Sequence, residues 1–357
     1  MLLVKDFDRL ITRFRQFGGM RLVWQYAKMG VLGTGVKDIL KCVAKGKSFK
    51  TVYPIITERI DKLLVEQYSK IIDNREEIKD SCQIKDNREK IKDDGIEHIW
   101  FCWLQGIDNA PEMVKICLES QKRMFGNKVV VLGADNYREW VELPTYITEK
   151  YKRGLIPSAL FTDLLRLELL IRYGGMWIDS SVLVDPTGQI KDNREKITDG
   201  SEENGPTLWR PSLEEIWQSE LFIFRYIRKG HVVGMSNWLI RAKAGNPLLM
   251  DLRDMLLAYW RDYDCTVEYY IFHLFFGVVV KRYPEMMVQM PKGNSYHSIM
   301  LGDCLAKDFD EAWWKELTTH VCFHKMNYRK EAQAKADPNS YWNHVVSMLT
   351  KGKDKRE

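Results

Sequence analysis

Alternating apolar segments between residues 96 and 184 predict a parallel β-sheet covered by helices. Three segments are rich in β-branched and aromatic residues and predict strands: IEHIWFCWL (96–104), KVVVL (128–132) and MWIDSSVLV (176–184). Apolar residues at helical spacing predict helices at 111–124, 146–152, 158–173, 246–260 and 267–280. Because strands and helices alternate from 96 to 184, the pattern indicates an α/β fold with a mostly parallel sheet.

The N-terminal 70 residues predict short helices that glycines interrupt. In the first of them Leu3, Phe7, Leu10 and Phe14 recur at helical spacing, with Lys and Arg between them. The first 50 residues hold eleven Lys or Arg and three Asp, a net charge of about +8, whereas the whole chain carries +5. These helices are expected either to lie on an anionic membrane surface or to pack on their own domain with solvated charges.

A short charged motif occurs three times, as IIDNREEIK from Ile71, IKDNREKIK from Ile84 and IKDNREKIT from Ile190. Its spacing fits no solenoid, and each copy has too little apolar surface to form a core. We interpret the copies as solvated insertions, with partner binding as the alternative. The expected organisation is a basic helical segment (1–70), a charged linker (71–95), an α/β domain (96–330) with an inserted loop at 186–208, and a C-terminal helix with a basic tail (331–357).

Composition excludes several classes of protein. The hydrophobic fraction of 45% and the charged fraction of 29% are typical of globular proteins. No uncharged apolar segment approaches the roughly 20 residues that span a bilayer, and no signal peptide is recognisable, so we expect a cytoplasmic location. Seven cysteines without a C-x-x-C pair indicate reduced thiols. P-loop and nucleic-acid-binding motifs are missing from the sequence, and no nucleic-acid partner is expected.

The segment 156–184 carries the most informative charged residues. Asp163 and Arg166 are three residues apart on one face of an otherwise apolar helix, so both need partners. Asp179 lies within the third predicted strand. Ligands of open α/β sheets bind beyond the carboxyl ends of strands, where a carboxylate suits a divalent cation or a sugar hydroxyl. The alternative is that Asp163 and Arg166 pair with each other and that Asp179 caps a turn.

Three sequence elements together resemble the signature of capsular polysaccharide synthesis glycosyltransferases, relatives of the sugar-binding-region family with its Asp-X-Asp motif. They are TDLLR (162–166), the turn Tyr173-Gly174-Gly175 and the strand MWIDSSV (176–182). Weaker similarity, over 96–330, comes from IWFCWLQG (99–106), YDCTVEYYIFH (263–273) and the pair His324-Lys325. The resemblance implies a Rossmann-like domain of the GT-A type. Such a domain would move a sugar from a UDP- or GDP-sugar to a polysaccharide or a lipid-linked oligosaccharide.

The family pattern also implies a Mn²⁺ or Mg²⁺ ion that the Asp-X-Asp motif holds against the donor diphosphate. Here Asp179 is followed by Ser181 where the second Asp would stand, so either another residue completes the site or the metal is dispensable. His324 is the candidate second ligand, with a hydrogen-bonded surface histidine as the alternative. Lys325 is expected to face the diphosphate. Glu268 is expected to face the acceptor as a general base, or else to be a helix-surface residue.

Further substrate-binding residues follow from the same resemblance: Asp163, Arg166, Gly174, Gly175, Ser181 and His273. Trp103 is the expected stacking platform for a base or a sugar ring; Trp100 and Trp177 are further candidates, with core packing as the alternative for each. Two other functions stay open, namely sugar-phosphate transfer and carbohydrate binding by an inactive relative. A released nucleoside diphosphate would identify sugar transfer, whereas a nucleoside monophosphate would identify phosphosugar transfer.

Overall fold

The structure, a computed structural model, describes residues 18–33, 37, 49–73, 95, 97–185, 211–225 and 234–351. The predicted amphipathic helix at 3–14, most of the three charged repeats and the tail after residue 351 lie outside these residues. The chain divides into two compact units of three segments each. The first unit comprises Met1–Glu89, Glu142–Glu168 and Pro247–Tyr283, and the second comprises Lys90–Val141, Leu169–Asn246 and Pro284–Glu357. The domain boundaries expected from the sequence stay a prediction.

The regular elements are named in chain order. They are α1 (Met20–Lys28), α2 (Phe49–Asp73), β1 (Ile99–Cys102), α3 (Glu112–Phe125), β2 (Val129–Leu132), α4 (Tyr137–Trp140), α5 (Thr145–Lys152), α6 (Ser158–Tyr173), β3 (Gly175–Ile178), β4 (Val182–Val184), α7 (Leu213–Gln218), β5 (Leu221–Arg225), β6 (Met235–Ala242), α8 (Pro247–Asp262), α9 (Ile271–Val279), α10 (Pro284–Gln289), α11 (Tyr296–Cys304), α12 (Glu311–His320), β7 (Phe323–Lys325), α13 (Glu331–Lys335) and α14 (Tyr341–Lys351). Within the described ranges, no helix combines the length and the apolar character needed to cross a membrane.

The described part of the first unit is helical and is built from α1, α2, α5, most of α6, α8 and α9. On α2, Ile60, Leu64 and Tyr68 are spaced four residues apart and are buried on one face. The Tyr68 ring lies 6.1 Å from the ring of Tyr259 on α8 and 5.4 Å from that of Phe275 on α9. The apolar stripe of α2 therefore forms the core of this unit together with α8 and α9.

The second unit contains a five-stranded sheet in the order β2-β1-β3-β6-β5. Strands β2, β1 and β3 are parallel neighbours, as the alternating pattern predicts. Strand β6 is antiparallel to both β3 and β5, so four of the five strands run in one direction. The expected α/β class with a mostly parallel sheet is thus confirmed, and the carboxyl ends of β1, β2 and β3 share one edge.

The single strand expected at 176–184 is wrong, because a turn divides it into β3 and β4. The Val182 amide donates to the carbonyl oxygen of Asp179 at 3.0 Å, which closes a four-residue turn. Strand β4 then leaves the main sheet and pairs antiparallel with β7. Asp179 is consequently the first residue after β3 and not a mid-strand residue.

The helices predicted between residues 111 and 260 agree with the structure to within two residues. In the region where short helices were expected, α2 is instead 25 residues long. The helix expected from residue 267 begins at Ile271, because the Glu268 carboxylate accepts the Tyr270 amide at 2.8 Å in a local turn. The helix 158–173 has the predicted bounds. Apolar periodicity therefore located the helices from residue 111 onward, whereas a side-chain-to-backbone bond set the start of α9.

Candidate functional site

Asp179 lies at the edge of the main sheet where the parallel strands end. Its carboxylate accepts two hydrogen bonds, one from Trp177 Nε1 to Oδ1 at 2.9 Å and one from Lys325 Nζ to Oδ2 at 2.7 Å. Trp177 is two residues earlier and therefore on the same side of the strand. The side chains of Asp179 and Lys325 are 23% and 27% exposed. The carboxylate is thus held in one orientation and still accessible to a ligand.

Lys325 also contacts Ser181, the residue at the second position of the Asp-X-Asp-like motif. Its Nζ donates to Ser181 Oγ at 2.8 Å, and the Met326 amide donates to the Ser181 carbonyl at 2.8 Å. The pairing of β4 with β7 places Lys325 opposite Val182. The structure therefore brings together three of the predicted residues, Asp179, Ser181 and Lys325, and we refer to them as the Asp179 site.

Gln121 supports the turn that carries this site and was not predicted from the sequence. It is buried on α3, and its Nε2 donates to the carbonyl oxygens of Asp179 at 3.4 Å and of Val182 at 3.0 Å. Such a bond between residues about 60 positions apart leaves no signal in a helical pattern. Gln121 therefore positions the backbone of the turn.

Gly302 on α11 is a second positioning residue that sequence reasoning missed. A Cβ atom at this position would lie 2.4 Å from the carbonyl oxygen of Lys325. Only a glycine allows the helix to approach the backbone of β7 this closely. The sequence shows a lone glycine at this position, but the backbone that it approaches depends on the tertiary fold.

His324 does not join the Asp179 site, which corrects the expectation of a shared metal site. Neighbouring residues of a strand point to opposite faces, so His324 points away from the face on which Lys325 meets Asp179. It is fully buried, and its ring lies 5.9 Å from that of Trp314. Burial lowers the pKa of His324 to about 4. The alternative of a surface histidine is wrong as well.

The residues of the Asp179 site do not fit a divalent metal. Both carboxylate oxygens of Asp179 are engaged by N–H donors, and Ser181 contributes a neutral hydroxyl. Among the residues that the structure describes, no group of three or more His, Cys, Asp and Glu side chains is arranged to hold a metal ion. Metals such as Mn²⁺ need several anionic or neutral donors around one point, and here an ammonium group takes that place.

The three candidate tryptophans have different environments. Trp100 is fully buried, with its Nε1 donating to the Gly174 carbonyl at 2.8 Å, and Trp177 is 2% exposed. Both are core residues, so the interpretation of them as stacking platforms is wrong. Trp103 follows β1 at the same sheet edge as Asp179 and is only partly buried. Its ring lies 6.2 Å from that of Tyr328 in an edge-to-face contact, and its predicted role in stacking stays a prediction.

Gly174 and Gly175 have a packing role at the opposite end of β3. Their φ angles are +69° and +90°, and a Cβ atom would lie 2.7 Å from the Ala244 amide nitrogen or 2.3 Å from the His98 carbonyl oxygen, respectively. Both residues are buried. The backbone geometry explains both glycines, and the expectation that they contact the substrate is corrected.

Asp163 and Arg166 form a buried ion pair in the first unit, as the alternative interpretation predicted. Arg166 Nη1 lies 2.6 Å from Asp163 Oδ1, and the guanidinium carbon lies 5.8 Å from the centre of the Phe272 ring. Burial and the nearby Arg166 charge lower the pKa of His273 to about 4. His273 is therefore neutral at pH 7, and its Nδ1 has no hydrogen-bond partner among the described residues.

Glu268 belongs to the first unit and lies near another carboxylate that the sequence did not reveal. Burial raises the pKa of Glu268, although the amides of Tyr270 and Tyr269 counteract the shift. Burial, together with the charges of Glu268 and Glu58, raises the pKa of Asp61 on α2 to about 7. Glu268 is therefore a partly buried carboxylate with a raised pKa. Its role as a base that faces the acceptor stays a prediction.

Comparisons with known proteins give the context for this geometry. A family model described as capsular polysaccharide synthesis protein matches residues 45–345. The O-glycosyltransferase PaGT of Phomopsis amygdali is 25% identical over 180 residues, which cover 47% of this chain and 40% of that enzyme. The chain therefore spans less than half the length of this relative. A solved structure, PaToxG Glycosyltransferase, aligns with a TM-score of 0.32 and 14% identity over 54% of this chain and 73% of the other.

Proposed function

Because the chain belongs to the capsular polysaccharide synthesis protein family, we propose that it is a glycosyltransferase with a nucleotide-sugar-binding domain of the GT-A type. Its donor is a UDP- or GDP-sugar, and its acceptor is a polysaccharide or a lipid-linked oligosaccharide. The observation that supports this most is the Asp179 site. It lies at the carboxyl edge of a parallel sheet, which is the edge where open α/β sheets bind nucleotides.

In this proposal the donor diphosphate lies against the ammonium group of Lys325. Asp179 and Ser181 fix that group through bonds of 2.7 and 2.8 Å, so its position needs no reorganisation when the leaving group gains charge. Trp103 and the exposed Tyr328 offer aromatic faces for the base at the same edge of the sheet. Together these residues would orient the donor by its diphosphate and its base.

The transfer step breaks the bond between the anomeric carbon and the diphosphate oxygen. The electron pair of that bond leaves with the nucleoside diphosphate, and the acceptor hydroxyl oxygen forms the new bond to the anomeric carbon. The hydroxyl proton goes to a base, for which we propose Glu268. Burial raises the pKa of this carboxyl group, which makes it a stronger base than a solvated glutamate.

The buried pair of Asp163 and Arg166, together with His273, is proposed as a binding group for a sugar. The neutral imidazole of His273 has one nitrogen that donates and one that accepts, which suits a hydroxyl group. The ion pair would keep the guanidinium charge balanced while Arg166 holds the imidazole neutral. His273→Phe should accordingly raise the KM for donor or acceptor more than it lowers kcat.

A peripheral attachment to anionic membranes is proposed for the N-terminal region. On α1, Met20 and Trp24 are 73% and 57% exposed and lie four residues apart, while Leu22 is buried on the other side. The Lys28 ammonium lies 3.7 Å from the centre of the Trp24 ring. Exposed tryptophan beside basic residues is typical of helices at a lipid surface, and the basic excess of the first 50 residues has the matching sign.

A donor screen tests the proposed activity. Purified protein is incubated with UDP- and GDP-sugars, and released nucleoside diphosphate is measured for the wild type, Asp179→Asn and Glu268→Gln. We expect release by the wild type with at least one donor and a strong loss in both variants. Release that is equal in all three proteins would contradict the assigned residues. Release of a nucleoside monophosphate would show phosphosugar transfer instead, and binding without release would show an inactive carbohydrate-binding relative.

A further inference from the structure

The cation of the Asp179 site is a side chain of the protein. We propose that the Lys325 ammonium replaces a divalent metal at this site and that the chain binds its nucleotide donor without metal. The inference rests on the proposed function, because it assigns the diphosphate of that donor to Lys325. It departs from the expectation for an Asp-X-Asp motif, in which the two carboxylates hold a metal ion.

The hydrogen bonds of Lys325 carry the first part of this inference. An ammonium group has three N–H donors. One donates to Asp179 Oδ2 at 2.7 Å and a second to Ser181 Oγ at 2.8 Å. Lys325 has no further hydrogen-bond partner among the described residues, and its side chain is 27% exposed. One donor is therefore available to a phosphate oxygen that approaches from solvent.

The charges at the site carry the second part. Asp179 and Lys325 cancel, and Ser181 is neutral, so the three residues sum to zero. An Asp at position 181 would leave one negative charge, which would attract a cation. A metal ion that approached Asp179 would instead meet an ammonium group at hydrogen-bond distance, and like charges this close repel. A neutral serine at position 181 therefore suits a site in which the lysine at position 325 supplies the positive charge.

The fixed backbone around Lys325 carries the third part. Lys325 is held by the pairing of β7 with β4, and Gly302 allows α11 to lie directly against its carbonyl oxygen. The Met326 amide bonds to the Ser181 carbonyl at 2.8 Å. A lysine on a mobile loop would be a weak substitute for a metal, whereas this one is attached to a strand whose register relative to Ser181 is set.

Nucleotide binding with and without metal tests the inference. Isothermal titration calorimetry measures the Kd of UDP and GDP in EDTA and in MnCl₂. For the wild type we expect the two values to agree within about threefold, since the binding cation is already present. For Lys325→Met we expect binding in EDTA to weaken by about tenfold or more, as the loss of a charged hydrogen bond does. Lys243→Met, which removes an exposed lysine paired with Glu220, is the matched control and should bind like the wild type.

A second variant guards against a misfolded Lys325→Met protein. The double variant Ser181→Asp with Lys325→Met recreates the two-carboxylate motif, and its nucleotide binding should become dependent on Mn²⁺, a gain that an unfolded protein does not show. Wild-type binding that requires Mn²⁺ would overturn this inference and leave the proposed function intact. Wild-type protein that binds neither nucleotide in either buffer would overturn the proposed function and this inference with it.

Discussion

Replacing Asp179 by asparagine should separate catalysis from folding. The change removes the charge of the carboxylate and keeps its shape. It weakens the bond of 2.7 Å to Lys325 Nζ and leaves the Trp177 indole with an amide oxygen as acceptor. The fold loses little because the amide still fills the turn, whereas the site loses the charge that fixes its ammonium group.

The structure indicates how large the losses of stability and of turnover should be. A hydrogen bond between charged groups contributes about 1.5–3 kcal/mol, but pairs that water screens contribute about 1 kcal/mol or less. Since Asp179 and Lys325 are 23% and 27% exposed, we expect a loss of about 1 kcal/mol in stability. That loss lowers Tm by about 2–4 °C for a unit of this size. Removing a preorganised electrostatic contact in a transition state lowers kcat by about 10²–10³-fold.

Thermal unfolding and donor turnover, measured on the same protein preparation, check this prediction. Asp303→Asn is the matched control, because Asp303 also pairs with a lysine, at 3.3 Å, but is 71% exposed. The control should keep both its Tm and its turnover. Wild-type turnover in Asp179→Asn would refute the assignment of the site. A large drop in Tm with proportionate loss of activity would show that Asp179 is mainly structural.

Three further predictions concern other parts of the chain. Gly302→Ala places a Cβ atom 2.4 Å from the Lys325 carbonyl oxygen, so the free energy of unfolding should fall by about 1–3 kcal/mol. Calorimetry should also show weaker binding of UDP or GDP, and unchanged binding would contradict the positioning role of Gly302. Since the pKa of Asp61 is raised to about 7, its native carboxyl group holds a proton that the unfolded chain releases near pH 4, and stability falls as pH rises from about 4 to 7. In denaturant unfolding, Asp61→Asn should therefore have the stability of the wild type at pH 4 and be more stable by about 1–2 kcal/mol at pH 8. This difference is smaller than the full pKa shift would give, because the carboxyl group is only half-buried. Equal stability at pH 8 would contradict the raised pKa. Trp24→Ala should weaken co-sedimentation with anionic liposomes by about tenfold, and added salt should weaken it for the wild type. Val288→Ala, which changes another exposed apolar residue, should have no effect. Sedimentation of Trp24→Ala equal to that of the wild type would favour a packing role for α1.

The sequence predicted the local elements well because their signals are local. The bounds of α6 follow from an apolar run that begins after Pro157 and ends at Gly174, and β1 to β3 follow from short runs of β-branched and aromatic residues. The division of residues 176–184 was missed, since Asp179, Ser180 and Ser181 look like a short polar interruption. The chain turns there through the bond from the Val182 amide to the Asp179 carbonyl at 3.0 Å, and β4 then pairs with β7, a strand about 140 residues later that no local pattern indicates.

The candidate site was predicted in part, and the wrong assignment of His324 has a clear physical cause. Asp179, Ser181 and Lys325 were found by their likeness to a family motif, and they do meet. Which face of β7 each residue takes depends on a register with β4 that a single sequence does not specify. That register separates His324 from Lys325, although they are adjacent in the chain.

Phosphorus NMR of a complete reaction tests the central claim most directly. The wild-type protein, a UDP- or GDP-sugar that it turns over and an acceptor glycan are followed in EDTA by the ³¹P signals of the nucleotide. We predict that the donor signals are replaced by those of UDP or GDP and that the product glycan carries no phosphorus. Appearance of UMP or GMP with a phosphodiester in the product, or no change in the donor until Mn²⁺ is added, would contradict the account.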